Sequence, residues 1–384
     1  MLINIHQSVF DNNDIWDKPE TIPALENLAN AVREGKHLVI SDRETLKIIT
    51  KCQDLSKTTR AIYTKLYYEL SKLRSYLSVV TRYIEITDLL EPVLSSLSDQ
   101  EVIQVPLKFF ENTQSIQKTI LLCENSSDTS FYKTIARVYV IWKWKNTYIK
   151  NNMGLVGLEF EPRGGGGNTI NIEYDNIQKT TKYFCLCILD SDRIAPEGKL
   201  GSTAAQIDQN KNQSSQFFRT KVLILDVHEI ENLIPNSILL GICSGDKQRE
   251  DALKRIQKLQ EIRGDQIKHF LDIKEGTLMY KIFDSTNPKD KLFWESHVLE
   301  INRILKCIDD DCLADWKCNK TKSNCQCQIS LGFGKNTLDN TIKYLEKIEH
   351  HKIAREFNND MKPEWEKIGQ VVVDFCIAHS PIRA

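Results

Sequence analysis

A chain of 384 residues, 41% hydrophobic and 27% charged, is long enough for two or three compact units and is neither disordered nor fibrous in composition. Its 51 basic and 52 acidic side chains leave a formal charge of −1, which excludes a polycation, so any nucleic acid would be held through a local patch. The opening MLINIHQSVFDNND has no basic start, no apolar run approaches 18 residues, and eleven cysteines make an odd number for a disulfide framework. The expectation is a reduced, cytoplasmic protein without membrane contact.

Residues 1–115 form the first segment. LINIH and HLVIS are strand-sized, a helix is expected near 22–33, and Leu66, Tyr67, Leu70, Leu73 and Leu77 recur at helical spacing. Pro92 and the loop around Pro106 punctuate its end. In residues 116–235 short apolar runs (KTILLCE, LVGLEFE, YFCLCILDSD, KVLILDVHEI) alternate with helix-compatible stretches and a glycine cluster. That alternation predicts an α/β fold, a mostly parallel sheet flanked by helices, with function gathered beyond the carboxyl ends of its strands. The polar stretch 201–216 reads as a flexible insertion. Residues 236–384 are mainly helical, interrupted by KEGT at Lys274, a cysteine-rich loop at 312–327 and the turn LGFGKN.

Three acids stand where strands should end. Glu124 follows ILLC, and Asp190 and Asp192 follow FCLCIL with one serine between them. If the segment stays extended, the two aspartates face the same way. Three carboxylates about 4 Å apart repel by roughly 4 kcal/mol per pair at an effective dielectric of 20, so they take up protons or a cation. Hard oxygen ligands on an open site suit Mg²⁺.

LLCENSSD (121–128), GGGGN (164–168), LDSDR (189–193) and HEIENLIP (228–235) together resemble, in order, the motifs of the topoisomerase–primase (TOPRIM) domain. The set resembles especially that of OLD-family nucleases and related phage-defence effectors, and it covers roughly 116–235. Asn125 stands where the family usually has glycine, and asparagine tolerates positive φ better than most residues. The resemblance implies phosphodiester hydrolysis, with Asp190 and Asp192 holding Mg²⁺ or Mn²⁺ and Glu124 ligating metal or acting as base. Asp128 and Glu231 would complete a second site or orient ligands, while the long stretch after Asp192 leaves the placement of Glu229 and Glu231 open. Gly165, Gly166 and Arg163 would face the substrate, and Lys274 would offset charge on the phosphate. It also implies a cytoplasmic anti-phage effector with an ATPase partner. The tyrosine of topoisomerases and the zinc module of primases are not recognisable, which favours the nuclease branch. DNA, RNA (tRNA included) and homo-oligomerisation all stay open.

Other features have two readings each. In 131–150, basic residues including Lys143 and Lys145 interleave with tyrosines and tryptophans, which suits nucleic acid or an ordinary packed helix. Cys312, Cys318, Cys325 and Cys327 are either a zinc knot or reduced thiols. GFGKNT lacks the Ser or Thr and the first glycine of a phosphate loop, so no ATPase is expected here. The rival to a nuclease is a non-catalytic regulator binding nucleic acid or protein.

Overall fold

Short runs of Leu, Ile, Val and Cys become buried strands in the computed structural model, which describes residues 1–97, 99–211, 218–309, 312–313, 316, 327–356 and 361–382. The first sheet contains β1 (Leu2–Ile5), β2 (Leu38–Ser41), β3 (Arg82–Thr87), β4 (Val93–Leu97) and β5 (Gln100–Pro106), in the order β2-β1-β3-β5-β4. β1 is parallel to β2 and β3, and β3 to β5, while β4 is antiparallel to β5. All residues of β1 and β2 are buried, as strands covered on both faces require. The helix Thr21–Arg33 buries Ala24, Leu25, Leu28 and Val32 at helical spacing. The helix Arg43–Lys51 starts on Asp42, which accepts hydrogen bonds from the amides of Glu44 and Thr45 at 2.9 Å.

Strands β3, β4 and β5 correct the reading of 80–106 as helix and loop. A half-buried ion pair hid them. Arg82, at the start of β3, donates to the Glu101 carboxylate of β5 and to the Phe218 carbonyl at 2.5 Å, and its guanidinium lies 5.3 Å from the Phe375 ring centre. Charges at buried positions break the alternation by which strands are recognised.

The second sheet contains β6 (Ile120–Cys123), β8 (Glu161–Gly164), β9 (Cys185–Leu189) and β10 (Thr220–Ile224), in the order β10-β9-β6-β8, with β6 parallel to β8 and β9. β7 (Val156–Leu158) pairs instead with β11 (Ile377–His379), antiparallel. The sheets are mostly parallel and flanked by helices, so the chain is α/β. No helix among the described residues is long and apolar enough to cross a membrane.

Two units emerge from the contacts. One holds Met1–Cys187, Asn212–Val222 and Glu366–Ala384; the other holds Ile188–Lys211 and Leu223–Trp365. The first therefore draws on all three sequence segments, and the chain passes between units within β9 and within β10. The second is mainly helical, with Trp294 fully buried and its indole nitrogen donating to the Ile194 carbonyl at 2.7 Å. Residues 202–211, expected to be flexible, form a helix that buries Ala204 and Ile207, a pair at i,i+3 spacing; 212–217 lie outside the described residues.

The glycine run after β8 is needed for close packing. A Cβ on Gly165 would lie 2.6 Å from the Cα of Ile170, which no rotamer change relieves. Gly165→Ala is expected to cost about 1–3 kcal/mol, read as a lower urea midpoint by circular dichroism; an unchanged midpoint would show that the turn relaxes freely.

Candidate active site

Beyond β9 the chain turns sharply under the control of Ser191. This fully buried serine donates its hydroxyl to the Val227 carbonyl at 2.6 Å and accepts from the Arg193 amide at 3.2 Å. Asp192 then takes φ +52°, a left-handed conformation costly for a residue with a side chain. Its amide donates to the His228 carbonyl at 2.9 Å, and Gly201 lies so close that a Cβ there would stand 2.7 Å from the Asp192 Cβ. The extended geometry expected for Asp190–Asp192 therefore ends at Asp190. Asp190 is half-buried and accepts from the Ile230 amide at 2.9 Å through Oδ1, whereas Asp192 is exposed.

The loop after β10 brings in two more carboxylates. Glu229 and Asn232 form a capping box on the single turn Ile230–Leu233, in which the Glu229 amide donates to Asn232 Oδ1 at 2.8 Å. Asn232 is fully buried and donates to the carbonyls of Lys268 and Leu271 at 2.6 and 2.8 Å. Glu229 Oε1 accepts from the amides of Ile273 and Lys274, both at 3.2 Å. Its Oε2 pairs with the Lys274 ammonium at 3.0 Å, and Glu231 Oε2 stands 3.5 Å from the same nitrogen.

Glu231 is the anomaly. It is 2% exposed, and its Oε2 makes no hydrogen bond beyond that long ion pair. Burial, and then the charge of Glu229, push its carboxyl up to about 7 against the pull of Lys274. For Lys274, burial opposes the charge, but Glu229, Glu231 and Asp190 more than offset it and hold the ammonium well above its ordinary value. With Glu231 ionised, three carboxylates face one ammonium, a surplus of negative charge that all-oxygen donors can share with a divalent cation.

The remaining expected residues lie in the first unit. Glu124 follows β6 half-buried and, after burial and Cys185, helps to raise the Cys187 thiol. Asn125 is not among the described residues with positive φ; its amide donates to Asp128 Oδ2 at 2.9 Å, so the turn closes without the expected left-handed residue. Asp128 is buried at the head of the helix Asp128–Lys143, where its carboxylate shapes that turn. Gly166 is left-handed at φ +70°, and the Gly165 amide donates to the Cys123 carbonyl at 2.8 Å, fixing the glycine turn to the end of β6.

Arg163 is held between Glu161 and Glu173 at 2.7 and 3.0 Å. Lys143 pairs with Glu366 at 2.8 Å, and Lys145 is exposed. Tyr132, Tyr139 and Trp144 are buried, with Trp144 against Tyr76 at 5.5 Å, so much of the aromatic pattern in 131–150 is packing. Cys312 and Cys327 are buried; Cys318 and Cys325 lie outside the described residues.

Asn232 belongs to the Glu-Asn pair of HEIENLIP, whereas the roles of Ser191, Gly201 and the Ile230 amide were not anticipated. Only the Glu229–Asn232 spacing carried a readable signal, that of a capping box. Compared with known protein families, characterised proteins and solved structures, the chain matches none.

A pH dependence follows from Glu231. Its carboxyl titrates higher folded than at its ordinary 4.5, so the folded chain keeps a proton that the unfolded chain loses. The resulting stability is full below about pH 4.5 and is lost as pH rises through about 7. In chelator, wild type should lose on the order of 2 kcal/mol across that window relative to Glu231→Gln. Parallel pH profiles of the two in urea unfolding would contradict this.

Proposed function

We propose that the protein is a Mg²⁺-dependent nuclease of the TOPRIM type, cutting phosphodiester bonds of DNA or RNA, tRNA included. The observation that carries this reading is the surplus of carboxylates around Lys274, with one buried carboxylate oxygen lacking a hydrogen bond. A second support is the strand order β8-β6-β9-β10, which is 2-1-3-4 in the chain order of that sheet. Doubly wound sheets bind ligands beyond the carboxyl ends of their strands, and Glu124 and Asp190 each directly follow such a strand.

In this reading Asp190 and Asp192 hold Mg²⁺ or Mn²⁺, and Glu124 is a further ligand or the base. Bound there, the metal supplies Lewis-acid stabilisation of a phosphate oxygen and a more acidic water. Glu231, whose carboxyl is pushed up to about 7 by burial and Glu229, would in its ionised form be a further oxygen ligand for the cation. Lys274 keeps its positive charge and, one-third exposed, offsets charge developing on the phosphate. Glu229 positions that ammonium through two backbone amides and one ion pair. An ATPase partner and a role in phage defence belong to the same proposal through the sequence resemblance alone.

Cleavage of tRNA, single-stranded and duplex substrates with Mg²⁺ and Mn²⁺ tests the proposal. Asp190→Ala and Glu124→Ala are each expected to lower cleavage by at least about a hundredfold, with folding unchanged. If the protein cuts nothing, with or without its operon neighbours, and both variants keep full cellular activity, the chain is a binding protein and the proposal fails.

A further inference from the structure

Lys274 sits on a backbone ribbon whose far end carries buried thiols. Residues 327–334 run along 273–279: the amide of Met279 donates to the Cys327 carbonyl at 3.0 Å and that of Ile329 to the Thr277 carbonyl at 2.9 Å. Further along, the amides of Phe333 and Gly334 donate to the carbonyls of Ile273 and Lys274, both at 2.9 Å. The two backbones touch so closely that a Cβ on Gly332 would lie 2.5 Å from the Lys274 carbonyl oxygen, and one on Gly276 would lie 2.6 Å from that of Ser330. At the Cys327 end, the sulfur accepts from the Asp309 amide at 3.4 Å. Cys312 and Cys327 are 2% and 3% exposed, and neither is in a disulfide. One donor atom each from Asp309, Cys312 and Cys327 lies within 4.8 Å of the other two.

We propose that Asp309, Cys312 and Cys327 bind a structural zinc ion that pins the ribbon carrying Lys274. Around a tetrahedral zinc with bonds of about 2.0–2.3 Å, ligand atoms stand roughly 3.3–3.8 Å apart, so side-chain rotation from the observed spacing brings these three ligands into place, with water in the fourth position. Two thiolates with one carboxylate select a borderline-soft ion over Mg²⁺. The ligands lose their protons on binding and the metal takes their place, so affinity rises with pH. Zinc here ties Asp309 and Cys312 to the head of the ribbon, six residues before Phe333. This inference stands on its own geometry and does not depend on nuclease activity.

The test is metal content of the purified full chain, with Co²⁺ exchange as a probe of thiolate coordination. Wild type should retain about one zinc per chain, and Co²⁺ should give a thiolate charge-transfer band. Cys312→Ser, Cys327→Ser and Asp309→Asn should lose zinc, whereas Cys52→Ser and Asp190→Ala should keep it. Chelation should lower the melting temperature of Asp190→Ala by several degrees, restored by Zn²⁺ and not by Mg²⁺. Asp309→Asn leaves both thiols in place and guards against misfolding as the cause. Wild type without zinc or a cobalt–thiolate band would overturn the proposal, as would a Cys312–Cys327 disulfide in protein kept under reducing conditions. Full zinc in Asp309→Asn would remove Asp309 from the site.

Discussion

Two carboxylates buried beside one another are the constraint that organises the second unit. Like charges about 4 Å apart repel by roughly 4 kcal/mol even at an effective dielectric of 20, and burial removes the water that would screen them. Glu229 and Glu231 meet this with one shared ammonium, two backbone amides given to Glu229, and a proton held on Glu231 up to near neutrality. Each device needs a neighbour in place. Lys274 depends on the ribbon 327–334, which depends on Gly276 and Gly332 for its close backbone approach. The loop bearing both glutamates depends on Asn232 and on Lys268, whose fully buried ammonium donates to the Ile234 carbonyl at 2.6 Å.

A protein selected only for stability would replace such a cluster with apolar side chains, since buried ion pairs rarely repay their desolvation. A buried carboxylate oxygen with only a long ion pair is the feature on which the proposed cation site rests. The same logic covers the left-handed Asp192, whose strained backbone is held by Ser191, the His228 carbonyl and Gly201.

Legibility followed the physics of each signal. Strands made of unbroken apolar residues, such as ILLC and CLCIL, were readable because burial on both faces leaves no polar interruption. Strands β3 to β5 were not, because Arg82 and Glu101 place paired charges inside the sheet. The helix 202–211 was missed because, among its described side chains, only Ala204 and Ile207 are buried. The acids themselves were visible at strand ends, and Lys274 beside its glycine turn. What no local pattern reveals is that Lys274 meets Glu229 and Glu231 across more than forty residues of chain, or that Asp192 leaves the extended conformation. Contacts of that kind arise only when the chain folds back on itself.

The claim at the centre of this account is that the carboxylates beyond β9 and β10 hold a divalent metal. A Mn²⁺ titration followed by electron paramagnetic resonance tests it without assuming any substrate. The account predicts saturable Mn²⁺ binding that strengthens as pH rises through about 7, is displaced by Mg²⁺ and is lost in Asp190→Ala. Mn²⁺ binding by Asp190→Ala indistinguishable from wild type, or none by either, would contradict it.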